Sequence, residues 1–295
     1  MKNPSPIARE YLEKGHSESC PLIDMHCHMG VFPGVYLPNA SPEAMLRTKK
    51  RYGVQRLVTV PHPALLADPV RGNAWMQDVI DTYPHDFLGY WAVNPHYPDL
   101  VQAGIDNFEH TRGFVGFKFL PDYHTYPADG PLYEPVLEYA NERGLLMLIH
   151  TWGLSLFNSP AHIARIAQKF PKAVLIMGHS CYGDWHAAMA LARDLPNVYL
   201  ELTAVYVAHD WSVQPAGSTA PLPMLAGLSV NGIIEAMVET ATSRKILFGT
   251  DLPWYSPMYA AGAVLFARIS DEAKHDILHR NAERLLGDYI RFPEK

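Results

Sequence analysis

From Pro21 onward, short apolar runs closed by polar residues alternate with longer amphipathic stretches along the 295-residue chain. Runs of this kind predict buried strands, and stretches with apolar residues three and four apart predict helices. The first strand runs through Leu22-Ile23 and ends in Asp24-Met25-His26-Cys27-His28. The same pattern predicts strands at Arg56 to Val60, Phe87 to Val93, Phe114 to Leu120 and Leu145 to His150. Three more follow at Val174 to His179, Val198 to Thr203 and Ile246 to Asp251. Helix signals separate them. Ser41-Pro42-Glu43 supplies a cap, a first-turn proline and a first-turn acid, and Gly53 closes that helix. Further helices are expected over Asn73 to Thr82, from a cap at Asp99 towards Gly113, and over Tyr133 to Arg143 before Gly144. Others run from Ser159-Pro160 to Pro171, over Trp185 to Arg193, from Asn231, and from Ser270-Asp271-Glu272. In the last, Leu278, Ala282, Leu285, Leu286 and Tyr289 make an apolar stripe.

Eight strands, each followed by a helix, predict an α/β fold of the (β/α)8 TIM-barrel kind in a single domain. The barrel is placed at residues 20–295, with 1–19 as an N-terminal extension. An open nucleotide-binding sheet would carry a glycine-rich turn after its first strand. Here that place holds His-Cys-His. The segment Ala204 to Val230 is longer than an ordinary connection, which points to a lid or a partner contact.

Composition narrows the picture. Hydrophobic residues make up 48% and charged ones 18%, which suits a soluble globular protein. A net charge of −6 gives nucleic acid or an anionic membrane no electrostatic support. There is no uncharged apolar run of the roughly 18 residues a spanning helix needs. Met1 to Glu18 lacks an apolar signal core, so a cytoplasmic location is expected. Cys20, Cys27 and Cys181 have no C-x-x-C spacing and read as free thiols of a reducing compartment.

In such a barrel the chemistry sits at the carboxyl ends of the strands. The polar residues found there are His26 and His28 on strand one, Lys118 on strand four, His150 on five, His179 on six and Asp251 on eight. Two imidazoles one residue apart on a strand share a face, so both can converge on one ion. Strict alternation would turn Asp24, His26 and His28 to the axis and Ile23, Met25 and Cys27 to the helices. It would likewise turn Gly116 and Lys118 inward and Val115, Phe117 and Phe119 outward. On strands five and six it pairs Leu148 with His150 and Met177 with His179 on the inner face. Lys118 could also form a buried ion pair with Asp24.

These motifs resemble the amidohydrolase superfamily, in particular its amidohydrolase-related branch, which also holds decarboxylases of the aminocarboxymuconate semialdehyde type. The matching stretches are Ile23 to His28, Gly116-Phe117-Lys118, Leu148-Ile149-His150, Met177-Gly178-His179 and Phe248 to Pro253, with Asn281 to Gly287 like the family's final helix. The resemblance implies that His26, His28 and Asp251 hold a first ion, with zinc suiting that donor set and manganese as the alternative. Asp251 is then also the general base for a metal-bound water of lowered pKa. Nuclearity rests on Lys118. If N6-carboxylated, it bridges two ions and His150 and His179 complete the second site. In the single-ion pattern His150 joins the first ion, His179 polarises substrate or moves protons, and Lys118 stays free. Homodimerisation is implied by the resemblance alone.

The strand-end loops offer Tyr123, His124, Trp152, Tyr182, Tyr206, Trp211, Trp254 and Tyr255, an aromatic set able to enclose a small cyclic substrate. Of these, Trp152, Tyr182, Tyr206, Trp254 and Tyr255 are the substrate-binding candidates. Few arginines lie nearby, which disfavours a phosphorylated substrate. Glu201 and Thr203 share the inner face of strand seven and are candidates to hydrogen-bond a ligand histidine. The leading expectation is a metal-dependent hydrolase of an amide, lactone or ester-like bond. The alternative is a metal-dependent non-oxidative decarboxylase, and the third is a catalytically silent metal-binding protein.

Overall fold

The computed structural model describes residues 4–207 and 229–290. Among them, eight parallel strands stand in chain order. These are β1 (Leu22–Met29), β2 (Val54–Pro61), β3 (Phe87–Ala92), β4 (Phe114–Phe119), β5 (Leu146–Trp152), β6 (Val174–Tyr182), β7 (Val198–Glu201) and β8 (Ile246–Leu247). The predicted (β/α)8 barrel is the observed fold, with helices such as Pro42–Arg51, Glu134–Arg143 and Trp185–Asp194 between successive strands. Among the described residues no helix is long and apolar enough to cross a membrane.

The barrel closes where β8 meets β1. Regular pairing of β8 ends at Leu247, short of the predicted Asp251, yet the chain keeps running beside β1. Met25 N–H donates to Phe248 C=O at 3.0 Å, Asp251 N–H to His26 C=O at 2.8 Å, and His28 N–H to Leu252 C=O at 2.6 Å. The ladder is broken because the Asp24 carboxylate takes the Thr250 N–H (3.1 Å) and hydroxyl (2.5 Å) in place of a backbone partner. Asp24 is thus engaged by Thr250, and the Asp24–Lys118 ion pair is not formed.

Two apolar layers hold the strands. Inside lie Ile23, Met25, Val58, Val60, Leu88, Tyr90, Val115, Leu148, Ile176 and Leu247. Between strands and helices lie Leu22, Cys27, Met29, Phe117, Phe119, Met147, Ile149, Leu175 and Met177. The interior below the mouth is therefore a packed core rather than a channel.

Three facing assignments need correction. Ile23 and Met25 point inward with the core, and a register shift between Asp24 and Cys27 lets His26 and His28 face inward above them. Val115 also turns inward, at a register shift in the β3–β4 pairing. On β6, Ile176 rather than Met177 is inside, and His179 reaches the inner face because the backbone turns left-handed there (φ 67°).

Helix starts follow local chemistry. Ser41 accepts from Ala44 N–H at 3.3 Å, as its cap-proline signal predicts. Asp99 is not a cap. Pro98 takes the first helical position, so Asp99 lies within the first turn of Pro98–Phe108, where an acid suits the helix dipole. Ser229, not Asn231, caps Val230–Ala241, and Asn231 instead donates to Ala263 C=O at 2.7 Å. Helices Pro6–Lys14 and Pro257–Leu265 were not anticipated, although Ser5-Pro6 and Ser256-Pro257 carry the same signal. The first buries Ile7, Ala8 and Tyr11 in the outer layer.

Candidate metal centre

His26, His28, Lys118, His150, His179 and Asp251 meet at the carboxyl mouth of the barrel. Their meeting depends on local backbone and on two glycines. A Cβ at Gly249 would stand 1.9 Å from Glu201 Oε1, and one at Gly178 would stand 3.2 Å from His26 Cε1. The Gly-Thr-Asp and Gly-His motifs therefore keep room for a carboxylate and an imidazole. Asp251 (φ 61°), like His179, adopts left-handed backbone, a strain of about 1–3 kcal/mol that the surrounding structure must hold.

His26, His28 and Asp251 present donor atoms within 4.8 Å of one another. Asp251 Oδ1 lies 3.2 Å from His28 Nε2 and 3.7 Å from His26 Nε2. Behind the rings, His26 Nδ1 is 2.9 Å from Glu201 Oε2, and His28 Nδ1 is 3.2 Å from the Val60 C=O. Both acceptors fix the proton on Nδ1, leaving the Nε2 lone pairs turned to the Asp251 carboxylate. At His28 acceptor then faces acceptor at 3.2 Å, an arrangement that needs a proton or a cation between them, while the His26 Nε2 lone pair takes a hydrogen bond from Lys118 Nζ at 2.9 Å. His179 Nδ1 is moreover buried without a hydrogen-bond partner. The residues fit a divalent ion.

Glu201 is wholly buried and takes four hydrogen bonds: from His26 Nδ1, from the His179 N–H at 3.1 Å, and from the Thr203 N–H and hydroxyl. Burial pushes its carboxyl up to about 7. All four partners are donors, however, so the carboxylate is the form these contacts hold. The expected hydrogen bond behind a mouth histidine is observed for Glu201, whereas Thr203 bonds Glu201 rather than a histidine.

Burial, reinforced by Lys118, holds His26 well below its usual range, and burial with the neighbouring His179 does the same for His150. Burial brings His179 down to about 3. Neutral imidazole is the form that binds metal. For Asp251 burial acts upward, but the imidazoles of His28, His26 and His179 gathered around it hold it well below the carboxylate range.

Lys118 is fully buried, with Nζ 2.9 Å from His26 Nε2, and burial lowers it to about 8. It does not line the cavity. His150 Nδ1 and His179 Nε2 are 2.9 Å apart, and His150 Nε2 lies 3.6 Å from Asp122 Oδ2. These three form a chain from the rim of the mouth to its floor.

A cavity of about 550 Å³ opens above, with His28, His150, His179 and Asp251 at its floor and Phe32, Tyr123, Trp152, Trp254 and Tyr255 in its walls. Tyr182, Tyr206 and His124 lie behind that wall. Tyr182 packs under Trp152 with ring centroids 4.4 Å apart, buried Tyr206 donates its hydroxyl to the Thr250 C=O, and His124 is bonded to Tyr133 and the Leu65 C=O. Trp211 lies outside the described residues. No lysine or arginine is among the described residues that line the cavity.

Sequence reasoning missed His62, Asp122 and Phe32. His62 stacks on His28 with centroids 4.7 Å apart, and its two nitrogens are taken by the Gly30 C=O (3.0 Å) and the Trp254 indole N–H (3.0 Å). It is a wall residue that ties two loops over the floor. Its place directly after β2 was the available signal.

An eight-stranded parallel barrel with imidazoles and a carboxylate gathered at its carboxyl mouth defines a barrel enzyme of the metal-dependent class. The amidohydrolase family model matches residues 23–287, and the chain belongs to that family. No curated protein matches the sequence significantly. Among solved structures, an uncharacterised TIM-barrel protein from Bordetella bronchiseptica is 18% identical, with TM-score 0.69 over 91% of this chain and 99% of that one. A 5-carboxyvanillate decarboxylase from Novosphingobium aromaticivorans, complexed with manganese and a nitro-substituted benzoic acid, is 14% identical, with TM-score 0.66 over 92% and 96%. A 2,6-dihydroxybenzoate decarboxylase from Rhizobium is 16% identical, with TM-score 0.65 over 90% and 98%. At these identities the likeness is one of fold.

Proposed function

We propose that the protein is a metal-dependent, non-oxidative decarboxylase of a small aromatic or cyclic carboxylic acid. The observation that carries this reading is the cavity itself: aromatic walls, no side-chain cation among the described lining residues, and a floor built for a divalent ion. The charge of an acid substrate has only the floor to go to, which puts its carboxylate beside Asp251 and His179. Two of the structural relatives described above are decarboxylases of hydroxylated or methoxylated benzoic acids, which favours this reading over the hydrolase expected from sequence.

His26, His28 and Asp251 would hold the ion through Nε2, Nε2 and Oδ1, and a divalent zinc or manganese held there would supply a positive charge for the substrate carboxylate. Phe32, Trp254 and Trp152 clasp the ring. The carbon–carbon bond to the carboxyl group breaks, carbon dioxide leaves, and one proton is added at the ring carbon. Asp251, through its second carboxylate oxygen, and His179 are the groups placed to deliver that proton, with Asp122 and His150 leading to His179 from the rim. Lys118 remains an amine beneath His26, and one ion suffices. A homodimer is the expected assembly, tested by light scattering of the purified chain.

The test is a paired screen of manganese- and zinc-loaded protein. Hydroxybenzoic acids are assayed for carbon dioxide release, and lactones and amides for hydrolysis. Carbon dioxide with the matching ring product, lost on chelation, is expected. Hydrolysis without carbon dioxide release overturns the proposal in favour of the hydrolase.

A further inference from the structure

At the amino-terminal end of the barrel, opposite the cavity, a second cluster of soft donors has no part in the chemistry above. Cys20 lies two residues before β1 and is wholly buried. Its Sγ and ring nitrogens of His275 and His279 lie within 4.8 Å of one another. His275 Nδ1 and His279 Nε2 are 2.9 Å apart, and the two rings are nearly perpendicular, at 81°. They meet edge to edge rather than stacked.

The final helix is shaped to make this meeting. It passes from Asp271–His275 into a wide turn over Asp276–Arg280 whose hydrogen bonds skip five residues, then continues as Asn281–Leu286. Such π-turns recur at functional sites. Glu283 Oε1 lies 2.8 Å from His279 Nδ1, so it accepts that ring's proton and leaves the Nε2 lone pair facing the cluster. A carboxylate behind a histidine is the arrangement that orients a metal ligand. The two nearby cations are already neutralised, Lys274 by Asp271 at 3.0 Å and Arg280 by Glu272.

We infer that Cys20, His275 and His279 form a second metal site, selective for zinc, with a fourth position left to water. One thiolate and two imidazoles suit zinc and exclude calcium and magnesium, which take oxygen ligands. On binding, the Cys20 thiol releases its proton to solvent and the proton on His275 Nδ1 moves to its Nε2, so both imidazoles ligate in neutral form and no oxidant or reductant is needed. The ion joins the segment before β1 to the final helix and pins the two ends of the barrel domain together. Its role is structural.

Cobalt substitution of the metal-depleted full chain tests this without reference to activity. A near-ultraviolet thiolate-to-cobalt charge-transfer band is expected in the wild type, absent from Cys20→Ser and from His279→Gln. The band persists in His26→Asn, because the cavity site offers no sulfur ligand, so failure of the decarboxylase reading leaves it untouched. Zinc content is expected to fall by one equivalent per chain in Cys20→Ser. If neither Cys20 nor His279 variant folds, the wild-type spectrum decides alone. Absence of the band at saturating cobalt, or a band unchanged in Cys20→Ser, overturns the site.

Discussion

Replacing Glu201 with glutamine probes how the barrel mouth is organised. The substitution keeps the shape of the side chain and exchanges one oxygen for an NH2 group. Oε2 receives the His26 ring and the His179 backbone, while Oε1 receives the Thr203 N–H and hydroxyl. Whichever way the amide is turned, its NH2 meets donors. At least one buried donor loses its partner, at about 1–3 kcal/mol, and the contacts that remain lose their charge assistance. If the NH2 faces His26, the ring no longer has an acceptor to hold its Nε2 towards Asp251. Loss of such an orienting partner typically lowers metal affinity about 10–100-fold. We expect Glu201→Gln to remain folded, to melt several degrees lower, and to bind manganese and zinc about 10–100-fold more weakly in competition with a chromogenic chelator. Affinity within about twofold of wild type, in a variant with unchanged stability, would refute the argument that this carboxylate sets the tautomer and aim of His26.

Further consequences follow for other positions. Gly249→Ala forces a methyl group to within 1.9 Å of Glu201 Oε1; urea unfolding is expected to show a loss of about 1–3 kcal/mol, and no loss would mean the site is looser than described. Lys118→Met removes a wholly buried amine and is expected to leave metal content at the cavity site unchanged by elemental analysis, whereas a carbamate bridge requires that an ion be lost. Trp152→Ala strips a cavity wall that stacks on His150 at 5.7 Å; a KM for aromatic acids raised more than kcat is lowered is expected, and the reverse pattern would place Trp152 in the chemical step. Chelation of the wild type is expected to lower its melting temperature and restored metal to recover it, because ligands of the folded state stabilise by mass action.

The eight strands were legible because each apolar run ends in a turn or cap signal, and the mouth residues because barrel chemistry lies at the carboxyl ends of strands. Facing was less legible. Alternation along β1 puts His26 and Met25 on opposite faces, yet both turn inward across a register shift beside Asp24, whose carboxylate is bonded to Thr250, far away in sequence. His179 likewise depends on a left-handed turn that no periodicity records. Tyr206 carried every feature of a cavity residue but donates its hydroxyl to the Thr250 C=O and lies behind the wall. His62 and Asp122 were less legible because both stand just beyond the apolar runs of β2 and β4 rather than within them. Cys20 read as an isolated thiol because its partners, His275 and His279, lie at the other end of the chain.

The account rests on a single divalent ion seated between His26 Nε2, His28 Nε2 and Asp251 Oδ1, and anomalous diffraction from a manganese-soaked crystal tests it most directly. One strong peak at the barrel mouth, about 2.0–2.2 Å from all three atoms, with no second peak beside Lys118, is the predicted result. No peak at the mouth, or a pair of peaks flanking a modified Lys118, would contradict it.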